Sequence, residues 1–255
     1  MRKVLLILWR IWFYVLSAFP VILLFIPLAI FLLLPNGYRH LYWVARNIWS
    51  PFVLIGMGFK IKRLNTFPPD NRSMILVANH TSYIDIMLMF RMRKKPFVFV
   101  GKKEIVKIPI FGYLYKKAVI MVDRSDPVSR FAVYGRANKM LDKGYNVCIF
   151  PEAHYWDDIV LLQEFKRGAF KIAIDNQLPI IPIIFYDLKL KHPWYPKFGS
   201  IGKLRVKVLD KINVDNLSEN DIPSLTKKAF TIIKDELEVV LVFSCFFLNL
   251  LNEYF

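Results

Sequence analysis

Cysteine is almost missing from this sequence: its 255 residues include only Cys148 and Cys245. Two thiols are too few for a disulfide framework, and neither has the spacing of a metal-binding pair. Both lie in apolar runs. We therefore expect buried or lipid-facing thiols in a reducing compartment.

Acidic residues are scarce as well. The chain has 20 Asp and Glu against 36 Lys and Arg, which gives a formal net charge of +16. A soluble protein this basic would suggest a nucleic-acid partner, but no motif for nucleic-acid binding is recognisable. Hydrophobic residues make up 55% of the chain, and its mean hydropathy is +0.35. We expect an apolar body held against an anionic membrane, and no nucleic acid.

Charge is also missing from residues 11–38. This run exceeds the roughly 20 residues that cross a bilayer, and it is too long for a signal peptide. Three prolines interrupt it and basic residues lie on both sides, so a single span and a kinked hairpin both stay open. We predict that residues 1–59 are membrane-anchoring hydrophobic helices, with Tyr42, Trp43 and Trp49 at the level of the lipid headgroups.

From residue 60 to residue 237, short apolar runs alternate with helical patterns. This alternation predicts an α/β domain with a mixed, mostly parallel sheet flanked by helices. The predicted strands cover residues 74–79, 97–101, 119–124, 146–152, 178–186 and 203–212. The predicted helices cover residues 84–91, 128–143, 167–176 and 225–237, and residues 109–117 are predicted to form a helix or a turn. The apolar tail, residues 238–255, is predicted to form a separate C-terminal helix.

Polar clusters follow three of these strands, at residues 79–85, 123–126 and 151–158. Sites in open α/β sheets form at the carboxyl ends of the strands. The three clusters are therefore expected to lie at one edge of the sheet.

The first cluster contains His80 and, five positions later, Asp85. Histidine is well suited to accept a proton near neutral pH, and a carboxylate can fix its tautomer. The pair would resemble a catalytic triad in which a substrate hydroxyl replaces the serine. The spacing alone favours a helix N-terminus, capped by Thr81 or Ser82 and with Asp85 at its positive end. Ser82 is a poor nucleophile candidate, because no Gly-x-Ser-x-Gly elbow surrounds it.

Four blocks in order resemble the glycerolipid acyltransferases, the 1-acylglycerol-3-phosphate acyltransferase family. They are the histidine–four residues–aspartate run at 80–85; Gly101-Lys102-Lys103-Glu104 with Ile108-Pro109, Gly112 and Asp123-Arg124; Phe150-Pro151-Glu152 with 165–170; and the proline-containing run 178–183. Together they cover residues 74–186, and their order is specific where each block alone would be weak.

The resemblance implies an enzyme in which His80 is the general base and Asp85 orients it. Acyl-coenzyme A or acyl-carrier protein would donate the acyl chain to the hydroxyl of a lysophospholipid, most simply 1-acyl-glycerol 3-phosphate, to give phosphatidic acid. No metal or bound cofactor is expected. The catalytic domain would lie on the cytoplasmic face of the cell membrane.

A phosphate-bearing acceptor requires cationic groups, and arginine suits bidentate contacts best. The candidates at predicted strand ends and turns are Lys102, Lys103, Arg124, Lys166 and Arg167. By resemblance, Glu152 helps to shape the acceptor site.

The chain departs from the family directly after Glu152. The family continues Gly-Thr-Arg, whereas this sequence reads Ala153-His154-Tyr155. His154 is therefore a candidate substrate contact in place of the arginine. The departure leaves open another acceptor, such as an amino-acid lysolipid. A non-catalytic, basic lipid-binding protein of the same fold is the alternative from a different class.

Overall fold

The computed structural model describes residues 2–69, 72–153, 160–195 and 197–253, and their side chains from residue 3 to residue 239. The chain begins with helices. They are α1 (Arg2–Leu23), α2 (Phe25–Phe31), α3 (Gly37–Val44), a π-helical turn (Ala45–Trp49) and α4 (Ser50–Gly56).

A seven-stranded sheet in the order β1-β7-β6-β2-β5-β3-β4 forms the centre of the molecule. Its strands are β1 (Phe59–Arg63), β2 (Ile75–Ala78), β3 (Phe97–Lys102), β4 (Ile120–Val122), β5 (Asn146–Ile149), β6 (Ile180–Phe185) and β7 (Gly202–Val208). Neighbouring strands of this sheet are parallel except β6 and β7, which are antiparallel. The predicted fold class, a mixed and mostly parallel sheet flanked by helices, is confirmed.

Helices connect the strands. They are α5 (Ile84–Met92), α6 (Phe111–Ala118) after a 3-10 turn (Lys103–Lys107), α7 (Pro127–Asp142), α8 (Gly168–Asp175) and α9 (Leu188–Lys191). A 3-10 turn (Glu219–Asp221) leads into α10 (Ile222–Glu253).

Two apolar layers cover the sheet, one on each face. Because side chains alternate along a strand, Leu76 of β2 packs with residues of α4 and α5, whereas its neighbour Val77 packs with residues of α8 and α10. Residues of β2 and β6 are buried on both faces. This is why these central strands have continuous apolar sequences, with no polar face.

The N-terminal helix α1 is apolar and largely uncovered. Its segment Lys3–Leu23 is long and apolar enough to cross a membrane. Phe13 and Leu16 are buried against the rest of the protein, whereas Leu5, Leu8 and Ile22 are more than half exposed. The chain turns at Leu24 into α2, and both a span and a hairpin remain compatible with this break.

Three details differ from the sequence predictions. Tyr42 is buried and donates its hydroxyl to the Arg93 carbonyl at 2.9 Å, so it is a core residue and not a headgroup contact. Strand β1 was not predicted, because its sequence Phe59–Arg63 is alternately basic. Helix α10 continues through the boundary predicted at residue 237, since no proline or glycine follows Pro223.

Candidate active site

The end of β2 is tied to β6 by Asn79, a buried amide. Its Nδ2 donates to the Phe185 carbonyl at 2.9 Å, and its Oδ1 accepts from the Phe185 N–H at 2.8 Å. The Asn79 side chain thus makes two hydrogen bonds of the kind that a backbone would make, at the point where the pairing of β2 with β6 ends. His80 follows at once and enters the turn that leads into α5.

Asp85 organises this turn from the first turn of α5. Its Oδ2 atom lies 2.9 Å from His80 Nδ1 and accepts the N–H groups of Thr81 at 2.7 Å and Ser82 at 2.9 Å. The side chain is fully buried. Asp85 therefore both contacts the histidine ring and shapes the turn that leads into α5. Ser82 is also fully buried, with its Oγ accepting the Ile84 N–H at 3.1 Å.

The contact with Asp85 indicates which nitrogen of the neutral His80 ring carries the proton. Since a carboxylate accepts from Nδ1, the neutral ring carries its proton there and has its lone pair on Nε2. The ring stacks on Phe150 with centroids 3.9 Å apart and an interplanar angle of 13°. Its side chain is 14% exposed. His80 is therefore fixed in orientation and mostly buried.

Glu152 joins the polar cluster at 151–158 to the cluster at 79–85. It follows β5, which pairs directly with β2. Its Oε1 accepts the His80 N–H at 2.7 Å, and its Oε2 accepts the Gln163 N–H at 3.0 Å. The carboxyl is only 4% exposed. Burial, opposed in part by these two N–H groups, raises the pKa of Glu152 to about 7.

The cationic candidates on β3 and β4 lie further along the edge. Arg124 follows β4, which is three strands from β2, or about 14 Å at the usual strand spacing. Lys102 ends β3, two strands away. The Lys103 ammonium is 63% exposed and lies 3.8 Å from Asp123 Oδ2. The polar cluster at 123–126 is thus separated from His80 by β5 and β3.

The candidate substrate contacts that follow Glu152 in the chain do not lie together. Lys166 is exposed, and its backbone N–H donates to the Pro151 carbonyl at 2.9 Å, next to Glu152. Arg167 lines a groove between α8 and α10 with Ile222 and Phe230, and neither His80 nor Glu152 lines that groove. His154 lies outside the described residues.

Lys189 was not singled out from the sequence. It lies in α9, just beyond the end of β6, and its ammonium donates to the Val160 carbonyl. Its positive charge acts on Glu152. β6 pairs with β2, the strand that precedes His80. In the order of the sheet, a cation on α9 is therefore closer to His80 than a cation after β4. Only the strand order reveals this, because 37 residues separate Lys189 from Glu152 in the chain.

The raised pKa of Glu152 predicts a pH-dependent stability. The folded protein holds this proton more tightly than the unfolded chain, so Glu152 stabilises the fold fully below about pH 4.5 and loses that contribution as the pH rises through 7. Relative to Glu152→Gln, which does not titrate, we expect the free energy of unfolding of the wild type to fall by about 3 kcal/mol between pH 4.5 and 8. Thermal unfolding in detergent over this pH range measures the difference.

Glu104 provides the control, since it is an exposed glutamate. Glu104→Gln controls for the loss of one carboxyl at the protein surface. A difference between Glu152→Gln and the wild type that does not change with pH would contradict the raised pKa of Glu152.

Comparisons with known proteins agree with the four sequence blocks. A family model described as Acyltransferase matches residues 59–186, about half of the chain. The mouse protein 1-acyl-sn-glycerol-3-phosphate acyltransferase alpha is 29% identical over 180 residues, which are 68% of this chain and 61% of that protein. The human beta protein is 28% identical over 156 residues, 60% of this chain and 56% of that protein. The chain thus spans about three fifths of the length of these relatives.

The fold also has a solved counterpart. The crystal structure of the 1-acyl-sn-glycerophosphate (LPA) acyltransferase PlsC from Thermotoga maritima superimposes with a TM-score of 0.76. The match covers 94% of this chain and 98% of that one, at 20% identity, and so concerns the fold. The resemblance read from the sequence is confirmed, and the chain belongs to the acyltransferase family.

Proposed function

We propose that this protein transfers an acyl chain from a thioester to the free hydroxyl of a lysophospholipid, with His80 as general base. The observation that carries the proposal is the contact of His80 Nδ1 with Asp85 Oδ2 at 2.9 Å. It leaves the lone pair of the neutral ring on Nε2. A base held by a buried carboxylate in this way is typical of acyl-transfer enzymes.

The chemistry balances without a covalent enzyme intermediate. His80 Nε2 takes the proton of the acceptor hydroxyl while that oxygen attacks the thioester carbonyl carbon. The tetrahedral intermediate collapses, the carbon–sulfur bond breaks, and the imidazolium returns the proton to the thiolate. Asp85 stabilises the imidazolium, and Glu152 fixes the backbone of His80. The donor is acyl-coenzyme A or acyl-carrier protein, and no metal or bound cofactor is required.

For the acceptor we propose 1-acyl-glycerol 3-phosphate, which would give phosphatidic acid. The relatives with this activity in their names support the choice. A phosphate requires a cation near the base, and Lys189 is well placed because α9 follows β6, a direct neighbour of β2. Lys102, Lys103, Arg124 and Lys166 lie along the same edge of the sheet and complete a basic approach to it.

One sequence observation favours a second acceptor class. The residues after Glu152 are Ala153-His154-Tyr155, without the arginine that the family places there. A lysolipid without a phosphomonoester, such as an amino-acid lysolipid, is therefore the alternative within the same chemistry.

We also propose that the protein works at the cytoplasmic face of the cell membrane. The exposed apolar side chains of α1 support attachment to lipid, and the net charge of +16 favours an anionic surface. A lysophospholipid acceptor would then reach the site from the membrane.

Replacing His80 by alanine tests the mechanism. Without the base, we expect the rate of acyl transfer to fall at least about 100-fold, the usual contribution of a positioned general base. The assay uses acyl-coenzyme A and acyl-carrier protein with 1-acyl-glycerol 3-phosphate, an amino-acid lysolipid and lysophosphatidylcholine. His40→Ala is the matched control, since His40 is exposed on α3 and should be dispensable. Full activity in His80→Ala would contradict the role of His80 as general base.

Replacing Lys189 by methionine tests the acceptor. Because a hydrogen bond to a charged group contributes about 1.5–3 kcal/mol, we expect the KM for 1-acyl-glycerol 3-phosphate to rise at least about tenfold. The KM for the acyl donor should not change. Lys228→Met removes an exposed charge from α10 and serves as the control. An unchanged acceptor KM in Lys189→Met would exclude this lysine as the phosphate contact.

A further inference from the structure

Arg10 is a charged residue within the apolar helix α1, and its guanidinium faces the protein. Nη1 donates to the Pro193 carbonyl at 3.0 Å, and Nη2 donates to the carbonyls of Tyr195 at 2.9 Å and Phe198 at 3.1 Å. A fork of donors is needed to bind several carbonyls at once, and arginine provides one where lysine does not. Arg10 therefore makes specific contacts within the protein, in addition to any attraction of its charge to anionic lipid.

The segment that Arg10 binds packs tightly on α1. We call residues 192–199, apart from residue 196, the α9–β7 segment. A Cβ atom at Gly199 would lie 2.7 Å from the Trp9 ring, so only glycine permits this close approach. The Trp9 and His192 rings meet edge to face with centroids 5.3 Å apart. The helix and the segment thus fit each other at both ends.

The same segment also holds the turn between His80 and Asp85. The Trp194 N–H donates to the Thr81 carbonyl at 3.1 Å. His192 Nδ1 lies 3.1 Å from Ser82 Oγ. Thr81 and Ser82 are the two residues whose N–H groups bind Asp85 Oδ2. One segment therefore contacts α1 on one side and the residues that set the Asp85 carboxylate on the other.

His192 is the closest link between the two sides. It is only 3% exposed and lies under Trp9 and Phe13 of α1. Burial and the nearby charge of Arg10 lower the pKa of His192 to about 4. The ring is consequently neutral at physiological pH. It acts as a hydrogen-bonding partner for Ser82 and not as a second proton acceptor.

We propose that Arg10 is a positioning residue for the His80–Asp85 turn and acts through the α9–β7 segment, with His192 and Ser82 as the final contact. The N-terminal helix is then part of the scaffold of the active site and not only an anchor. The kinetic consequence rests on the proposed acyl transfer, whereas the structural consequence does not.

Hydrogen exchange tests the structural consequence without an activity assay. In Arg10→Ala, we expect the amides of residues 80–86 to exchange at least about tenfold faster than in the wild type, because the turn loses its support. Exchange in α7, on the other side of the sheet, should not change. Lys3→Ala is the control, since it removes an exposed positive charge from the same helix.

Kinetics tests the functional consequence. Small misplacements of catalytic groups are costly, so kcat should fall roughly 10- to 100-fold in Arg10→Ala while the KM values for both substrates stay near those of the wild type. Lys3→Ala should keep the wild-type kcat. His192→Asn, whose amide can still bind Ser82 Oγ, should retain more activity and more protection of residues 80–86 than His192→Phe.

Two results would overturn the proposal. One is wild-type exchange of residues 80–86 in Arg10→Ala. The other is faster exchange throughout the domain, including α7, which would make Arg10 a general folding residue. If the wild type transfers no acyl chain to any lysolipid, the proposed function fails, and the exchange data still decide the role of Arg10.

Discussion

The geometry of the candidate active site depends on a single oxygen atom, Oδ2 of Asp85. It binds His80 Nδ1 and the N–H groups of Thr81 and Ser82 within 2.9 Å, and the side chain is shielded from water. Three donors offset the cost of burying a carboxylate, which would otherwise be large. The same contacts fix the turn, the tautomer of the imidazole and the direction of its lone pair. Removing the carboxylate would disturb all three together.

Elements distant in the chain stabilise this turn. The backbone of Phe185 in β6 forms two hydrogen bonds with the Asn79 side chain. Glu152, which follows β5, accepts the His80 N–H. The α9–β7 segment contacts Thr81 and Ser82. The parallel sheet makes this possible, since the carboxyl ends of β2, β5 and β6 meet at one edge. Helix α1 covers the third support. The packing of the whole domain thus determines the placement of one ring.

Local sequence patterns predicted much of this, and long-range contacts account for the rest. The apolar runs of β2 and β6 and the spacing of His80 and Asp85 are local, so the fold class and the candidate pair could be read directly. Strand order is not local: it separates Arg124 from His80 and brings Lys189 close to Glu152. The contact of Ser82 with His192 spans 110 residues and left no pattern in the sequence. The sequence predicts a helix end near residue 237 because its composition changes there from charged to apolar, but neither proline nor glycine interrupts α10 at that point.

The tautomer of His80 tests the central claim most directly. Nitrogen NMR distinguishes the two neutral tautomers of a histidine ring. It would be recorded on protein labelled at its histidine rings, in micelles, at a pH where the rings are neutral. The loss of one signal in His80→Gln assigns it. The account predicts a proton on Nδ1 and an unprotonated Nε2. A neutral His80 that carries its proton on Nε2 would contradict the role given to Asp85 and the use of His80 as the base.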